Sequence, residues 1–540
     1  MKDLLVMKFD GTSVGSADRM RVAARLSAEK KRKRPVVIVV SAMSGVTDLL
    51  IETTKHAEAG DCAGLGANIR KLEERHHQAC HDLLPAAKQK PVLAGIRELV
   101  GEFRRITHGM LMLNDRPPRS VDEAIAIGER LSALMIAACL NAEGTKAEAV
   151  NAAELIVTDA VFGSASPLME QTTEKARKRL LPLLRRGVLP VVTGFNGAAA
   201  DGRPTTLGRG GADFSASILS AALGASELWI WTDVDGIMTA DPRLVPDAAV
   251  LAEVTYREAA ELAYNGAKVL HPRTLAPLIE SHIPVWSKNS FAPEKPGTKI
   301  VPRISASNGA RAVTSMTRVA LISLEPAHAT LPGAHVMARA LDALARANVE
   351  VLSLSSSSYR QSFCFLVRSE ELEKTVEALE SALALELAHG YLRPIDVNNE
   401  VGLLAIVGEG MQGTSGLAGR IFTAISRERI NIIAIAQGSS ELTIAIVVRR
   451  EGLEAAVRAV HAECEMGTNG KAKVKKRQKV NSLKKSIRTR HRSQQKLLAT
   501  NRCVKAYSLA GGLLRARQRE ARDLQPQATR RTFDQADAEF

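Results

Sequence analysis

Apolar positions along this chain fall into two rhythms. Leu4–Phe9 is a short apolar run, broken only by Lys8, that ends at Asp10-Gly11-Thr12-Ser13. It predicts a buried strand running into a turn. A helical period follows from Ala17 to Lys30, then a run rich in β-branched residues at Val36–Val40. Strand, helix, strand at this spacing is a βαβ unit, hence a parallel sheet covered on both faces. Residues 64–143 carry helical periods, with loops expected near Leu84–Lys90 and Asn114–Ser120. Strand-like runs return at Val188–Val192, Glu227–Trp231 and Ile283–Val285. Residues 1–302 therefore read as one α/β domain, a three-layer α/β/α arrangement on a mainly parallel sheet.

The rhythm changes after residue 317. Strands are expected at Val319–Leu324, Val349–Leu354 and Phe363–Val367, with helices at Ala334–Ala347 and Glu370–Leu387. The order then recurs as Val401–Val407, Gly416–Glu428, Ile430–Ala436, Leu442–Val448 and Leu453–Cys464. Two copies of β-α-β-β-α predict tandem ferredoxin-like α+β modules, at 317–393 and 399–464. Beyond Cys464 the period fades, and residues 466–540 read as a basic, disordered tail.

Charge sharpens this division. The formal net charge is +15, which by itself suggests a nucleic-acid partner. Yet 20 of the 73 Lys and Arg and 5 of the 58 Asp and Glu lie in 466–540, so the body is balanced at 53 each. The six cysteines are scattered without a C-x-x-C pair, which argues against zinc fingers and disulfides and fits a reducing cytoplasm. No signal peptide is visible at the start. The apolar stretch Leu131–Leu140 is too short to span a bilayer, so no membrane partner is expected.

Candidate chemistry concentrates in Gly194–Arg243. Gly208, Gly210 and Gly211 precede an expected helix, where backbone N–H groups and the helix N-terminus can receive an anion. Arg209 offers a planar fork for a carboxylate or phosphate. A tight turn with a surface arginine is the plainer alternative for such a loop alone. Asp233 and Asp235 follow a strand at i and i+2 and can pair with Mg²⁺ or hold a nucleotide's polar groups. Asp and Gly also simply make turns. Lys268, in Gly266-Ala267-Lys268, can meet an ATP phosphate or be an ordinary solvated lysine.

Together these blocks resemble the amino acid kinase superfamily, specifically the aspartate kinases. Lys8-Phe9-Asp10-Gly11-Thr12-Ser13-Val14 is similar to that family's K-F-G-G-T-S-V opening. Ser41-Ala42-Met43-Ser44-Gly45-Val46-Thr47 and Ile127-Gly128-Glu129-Arg130-Leu131-Ser132 resemble its second and third motifs, and Gly194–Pro272 matches in order and spacing. The modules resemble ACT domains. Val407–Met411 and Asn431–Glu441 resemble the second module of the aspartate kinase fused to homoserine dehydrogenase.

The resemblance implies transfer of the ATP γ-phosphate to the side chain of L-aspartate, with Mg²⁺, at the head of lysine, threonine and methionine synthesis. It implies catalytic roles for Lys8, Asp213 and Arg209. Ser41, Thr47, Glu129 and Arg209 would bind aspartate. Lys8, Gly11, Thr12, Ser13, Thr232, Asp233, Met238, Arg243 and Lys268 would bind ATP. Gln437, Asn431 and Met411 would bind threonine or lysine as feedback effector, in a homodimer or higher homo-oligomer joined through the ACT modules. Three positions depart from the pattern: Asp10 for glycine, Ala212 for serine, and Met238 for an aromatic residue. Ser355–Ser358 replaces a Gln-Ser-Ser stretch in the first module, which leaves the choice of effector open.

After Cys464 no G-x-G-x-x-G follows a strand, so no dehydrogenase is expected; the tail's composition would suit out-of-frame dehydrogenase sequence. Two other readings stand beside the kinase. Asp10 would suit a catalytically impaired ACT sensor of amino acids. Lys471–Lys485 could bind nucleic acid nonspecifically, although it lacks interleaved aromatics for base stacking.

Overall fold

The computed structural model describes residues 3–267, 270, 272–304, 309–327, 333–358 and 362–467. Lys268 and the expected tail beyond residue 467 lie outside them. In chain order the first domain contains β1 (Leu5–Phe9), α1 (Ala17–Lys31), β2 (Val36–Val40), α2 (Val46–Glu58), α3 (Cys62–Leu83), α4 (Ala86–Leu113), α5 (Pro118–Ile125) and α6 (Ile127–Ala142). It continues with β3 (Ala147–Val150), β4 (Val157–Thr158), α7 (Met169–Arg185), β5 (Leu189–Thr193), β6 (Asn196–Ala199), β7 (Pro204–Thr206), α8 (Gly211–Leu223) and β8 (Glu227–Thr232). β9 (Glu253–Thr255), α9 (Tyr256–Tyr264), α10 (Pro272–Ser281), β10 (Val285–Asn289) and β11 (Thr298–Val301) complete it.

The main sheet runs β3-β5-β2-β1-β8-β10-β11-β9, with every neighbouring pair parallel except β10 and β11. Strands alternate their side chains between two faces. Leu5, Met7 and Phe9 join one apolar cluster with α1 to α4 and α6, while Leu4 and Val6 join another with α7 to α10. Two covered faces explain why the central strands are apolar throughout. The expected α/β/α sandwich is the observed one.

Some boundaries differ, each for a local reason. The expected loop at Leu84–Lys90 is only a short link, because α4 starts at Ala86 after Pro85 takes the N-cap. The strand expected at Ile283–Val285 starts at Val285, since Ile283 N–H closes the end of α10 on the Leu278 carbonyl.

His76 is a buried titratable group within α3. Its Nδ1 lies 2.7 Å from the Leu72 carbonyl, and Nε2 has no partner. Burial pushes its pKa down to about 4. The unfolded chain then binds the proton more readily, so stability is full above the ordinary pKa near 6.5 and declines as pH falls towards 4. This residue alone should remove roughly 3 kcal/mol over that window. Urea unfolding of wild type and His76→Leu across pH 7.5 to 4.5 checks it: the variant should have the shallower slope, and equal slopes would refute it.

The second half contains β12 (Ala312–Met316), β13 (Val319–Leu324), α11 (Gly333–Arg346), β14 (Ser353–Ser356), β15 (Phe363–Arg368), α12 (Leu372–Ala382), α13 (Ala384–Ala388) and β16 (Asp396–Asn398). β17 (Val401–Val407), α14 (Leu417–Arg427), β18 (Ile432–Gln437), β19 (Thr443–Arg449) and α15 (Leu453–Glu463) follow. They form two antiparallel sheets, β14-β15-β13-β16 and β12-β17-β19-β18. Both expected modules are present, with two differences. β16 extends the first sheet past residue 393, and the second sheet takes β12 from before the first module. Val349, expected in a strand, instead folds back on α11 after Asn348 adopts positive φ, so β14 starts at Ser353. The expected helix Glu370–Leu387 breaks near Leu383, between α12 and α13.

Candidate active site

The C-terminal ends of the neighbouring strands β2, β1 and β8 gather the expected site, with α2 and α8 starting beside them. Lys8, near the end of β1, is 5% exposed. Its Nζ lies 2.6 Å from Asp213 Oδ1 in the first turn of α8. Ser13 Oγ donates to the Trp231 carbonyl at 3.1 Å and lies 2.8 Å from Ser290 Oγ, fixing the β1 loop to β8 and the end of β10. Gly11 packs against the β2 loop: Ser44 N–H donates to its carbonyl at 3.0 Å, and a Cβ there would sit 3.1 Å from the Ala42 oxygen. Ser41 and Thr47 lie half-buried on that second loop, Thr47 in the first turn of α2.

Glu129 enters from α6 at 3% exposure. One oxygen accepts from Ala42 N–H at 3.1 Å, and Oε2 has no partner. Burial pushes its pKa up to about 8, against the opposing pull of the Ala42 amide and Lys8. A buried carboxyl with one oxygen left without a partner can receive a cation by giving up its proton.

Gly208 and Gly210 both have positive φ, 76° and 71°, so the expected loop before α8 depends on them. Asp122 holds this region from behind. It is buried on α5 and accepts from Thr206 N–H and Gly163 N–H, each at 2.8 Å, and from Thr206 Oγ1 at 2.7 Å. No motif marks it; an aspartate on an otherwise apolar helix face was the available signal. Arg209 is exposed and pairs at 2.9 Å with Glu370 of the first C-terminal module. In this conformation its fork faces a protein carboxylate.

Of the expected nucleotide residues, Thr232 and Asp233 sit at the end of β8, with the Thr232 hydroxyl 3.3 Å from Asp233 Oδ1. Asp235 is not free to join Asp233, because Lys295 and Asn289 donate to it at 2.6 and 2.7 Å. The paired-carboxylate reading therefore narrows to Asp233. Met238 is half-buried and Arg243 exposed, paired with Asp241 at 2.6 Å. Next to them, buried His461 of α15 places Nε2 3.0 Å from Thr239 Oγ1. The second C-terminal module thus touches the segment that carries Met238 and Arg243.

Asp10 has ordinary negative φ, so replacing a glycine there brings no left-handed strain. Its Oδ1 accepts from Ser13 N–H at 2.8 Å and Thr12 Oγ1 at 2.9 Å. Burial favours its neutral form, but Lys8 and bonds from Ser13 and Thr232 prevail and hold its pKa below the usual range. Asp10 therefore presents an anion to donors that would otherwise face solvent or ligand.

Among the expected effector residues, Gln437 ends edge strand β18 and Asn431 precedes it, both exposed. Met411 is 5% exposed within the second module's core.

Comparison with known proteins agrees with this geometry. The amino acid kinase family model matches residues 3–289, and an ACT domain model matches 333–383 and 404–464. The chain is 34% identical over 466 residues to an Arabidopsis thaliana bifunctional aspartokinase/homoserine dehydrogenase, covering 85% of this chain and 50% of that protein. It thus spans about half the length of the bifunctional relatives it matches. It is 30% identical to the Schizosaccharomyces pombe aspartokinase over 86% of this chain and 93% of that protein. The crystal structure of E. coli aspartokinase III with aspartate and ADP superposes with a TM-score of 0.74 at 30% identity, covering 85% of this chain and 99% of that one. The same enzyme with lysine and aspartate gives 0.70 at 29% identity and the same coverage. The chain belongs to the amino acid kinase family and, within it, to the aspartokinases.

Proposed function

We propose that the chain is an aspartate kinase, converting ATP and L-aspartate to ADP and 4-phospho-L-aspartate, under feedback through its ACT modules. The observation that carries this reading is Glu129. Its unmet buried oxygen, within the field of Lys8, suits the α-ammonium of an amino acid. ADP and aspartate bound to E. coli aspartokinase III support the choice of substrates.

The chemistry follows from charge. The side-chain carboxylate of aspartate has a pKa of about 4, so it attacks as an anion and needs no general base. The obstacle is repulsion between that anion and the triphosphate, and catalysis is mostly positioning and positive charge. Lys8 offsets charge on the transferring phosphoryl group. Asp213 holds the Lys8 ammonium in place. Ser41 and Thr47 border the substrate beside Glu129. Arg209 takes the α-carboxylate once it leaves Glu370. Thr232, Asp233, Met238, Arg243, Lys268 and the Gly11–Ser13 loop hold ATP. Among the described residues no three acidic, His or Cys groups are placed to hold a metal. Mg²⁺ would come with the phosphates, meeting few protein carboxylates, of which Asp233 is the available one. When bound, it would neutralise phosphate charge.

Regulation by threonine or lysine rests on the ACT modules and on the lysine complex of E. coli aspartokinase III. The Arg209–Glu370 and Thr239–His461 contacts give those modules physical routes to both substrate regions. Gln437 and Asn431 are the accessible effector candidates, and Met411 would act from within the module's core. A homodimer through the ACT sheets and a cytoplasmic location complete the proposal. The five described cysteines are unpaired. No helix among the described residues is long and apolar enough to cross a membrane.

The test is hydroxylamine trapping of the acyl phosphate from ATP, Mg²⁺ and L-aspartate. Aspartate-dependent hydroxamate supports the kinase; none from folded protein favours the sensor reading. Asp10→Gly adds a specific expectation. Freeing the Ser13 amide and removing an anion should lower KM for ATP about three- to tenfold. An unchanged or higher KM would show that Asp10 does not compete with phosphate.

A further inference from the structure

The sheet face beside α1 carries features that the kinase site does not use. All three tryptophans of the chain lie there, Trp229 and Trp231 on β8 and Trp286 on β10. Register sets Trp229 beside Trp286 and Trp231 beside Lys288. Alternation then puts these four side chains on one face. Trp229, Trp231 and Lys288 line a cavity of about 360 Å³, with Arg25 and Lys30 from α1 and the acids Glu29 and Glu294. That volume is in the range of small-molecule sites.

Three observations specify a ligand. First, the indole donors differ. Trp229 Nε1 donates to Glu227 at 2.8 Å, whereas the buried Nε1 of Trp231, also on the lining, meets no acceptor; that of Trp286, outside the lining, meets none either. Trp231 is only 2% exposed, and buried donors are normally met. Second, cations crowd the aromatic faces. Lys288 Nζ lies 5.2, 5.7 and 5.3 Å from the ring centres of Trp229, Trp231 and Trp286, and Lys30 Nζ lies 4.7 Å from Trp229. Lys288 spends one of its three donors on the Pro296 carbonyl at 2.8 Å. Burial and the nearby Lys30 hold its pKa below the usual lysine range, against the pull of Glu227. An anion would relieve that crowding. Third, Glu29 and Glu294 oppose a polyanion, so the cavity suits one negative group, with the partly exposed Trp229 ring taking a flat apolar body.

We propose that this cavity binds a small, flat monoanion such as an aromatic carboxylate, independently of the kinase site. The location of every tryptophan at this face makes intrinsic fluorescence a local readout. The full chain is titrated with benzoate, its neutral isostere benzamide and inorganic phosphate, with and without ATP. Benzoate should change the emission saturably. Benzamide and phosphate should bind at least tenfold more weakly, and ATP should not displace benzoate. Lys288→Gln and Lys30→Gln should each weaken benzoate about tenfold while keeping the wild-type urea midpoint. Absent saturation, equal binding of benzamide or phosphate, displacement by ATP, or wild-type affinity in both folded variants would overturn the proposal.

Discussion

Lys8→Ala should lower kcat about 10²- to 10³-fold, the usual effect of removing one preorganised donor from a charge-stabilising site. The loss should exceed that of a surface lysine, because Lys8 is 5% exposed and its charge acts on Asp213, Asp10 and Glu129. Asp213 Oδ1 is 2.6 Å from its ammonium, and Asp10 feels its charge. Without it those acids would face the triphosphate uncompensated. KM for ATP should therefore rise as well. Arginine should rescue poorly, since a planar fork does not replace a compact ammonium beside Asp213. Hydroxamate production at saturating ATP and aspartate measures kcat, and urea unfolding separates chemistry from stability. A folded variant with kcat within tenfold of wild type would remove Lys8 from the phosphoryl site.

What could be read from the sequence was local in origin. Leu4–Phe9 and Val36–Val40 are apolar throughout because both sheet faces are covered, and their period left little choice of element. Gly208 and Gly210 marked a loop because positive φ excludes most other residues. What escaped was set by partners far away in the chain. β12 is a strand because β17 pairs with it, and its Ala312–Met316 sequence has no strong alternation of its own. Asp122 acts on Thr206, 84 positions later, and His461 touches Thr239, 222 positions earlier. Arg209 was legible as an anion ligand, but its pairing with Glu370 depends on how the first ACT module docks. Asp10 was legible as a departure; only its bonds to Ser13 and Thr12 reveal which donors it occupies. Motifs thus identified groups, while topology decided which of them meet.

Glu129→Gln should raise KM for aspartate by roughly 30- to 1,000-fold, the range for truncating one partner of a buried charge pair. The amide has the same shape but no charge for the substrate ammonium. kcat at saturating aspartate should fall much less, because the proposed contact is distant from the transferring phosphoryl group in chemical role. The pH profile gives an independent check. With its pKa near 8, Glu129 is largely protonated in the empty site at pH 7 and must ionise to receive the ammonium. Binding is therefore linked to proton release below about pH 8. KM for aspartate should fall as pH rises towards 8, by up to about tenfold per unit, and level off above it. Glu129→Gln should flatten that dependence. The Ala42 amide bond at 3.1 Å stabilises the carboxylate but leaves Oε2 unmet, so the amide cannot substitute for the substrate's charge. A KM in wild type that does not change between pH 6.5 and 8.5 would place the ammonium elsewhere, and Glu129 would then be a structural carboxyl that fixes the Ser41–Thr47 loop.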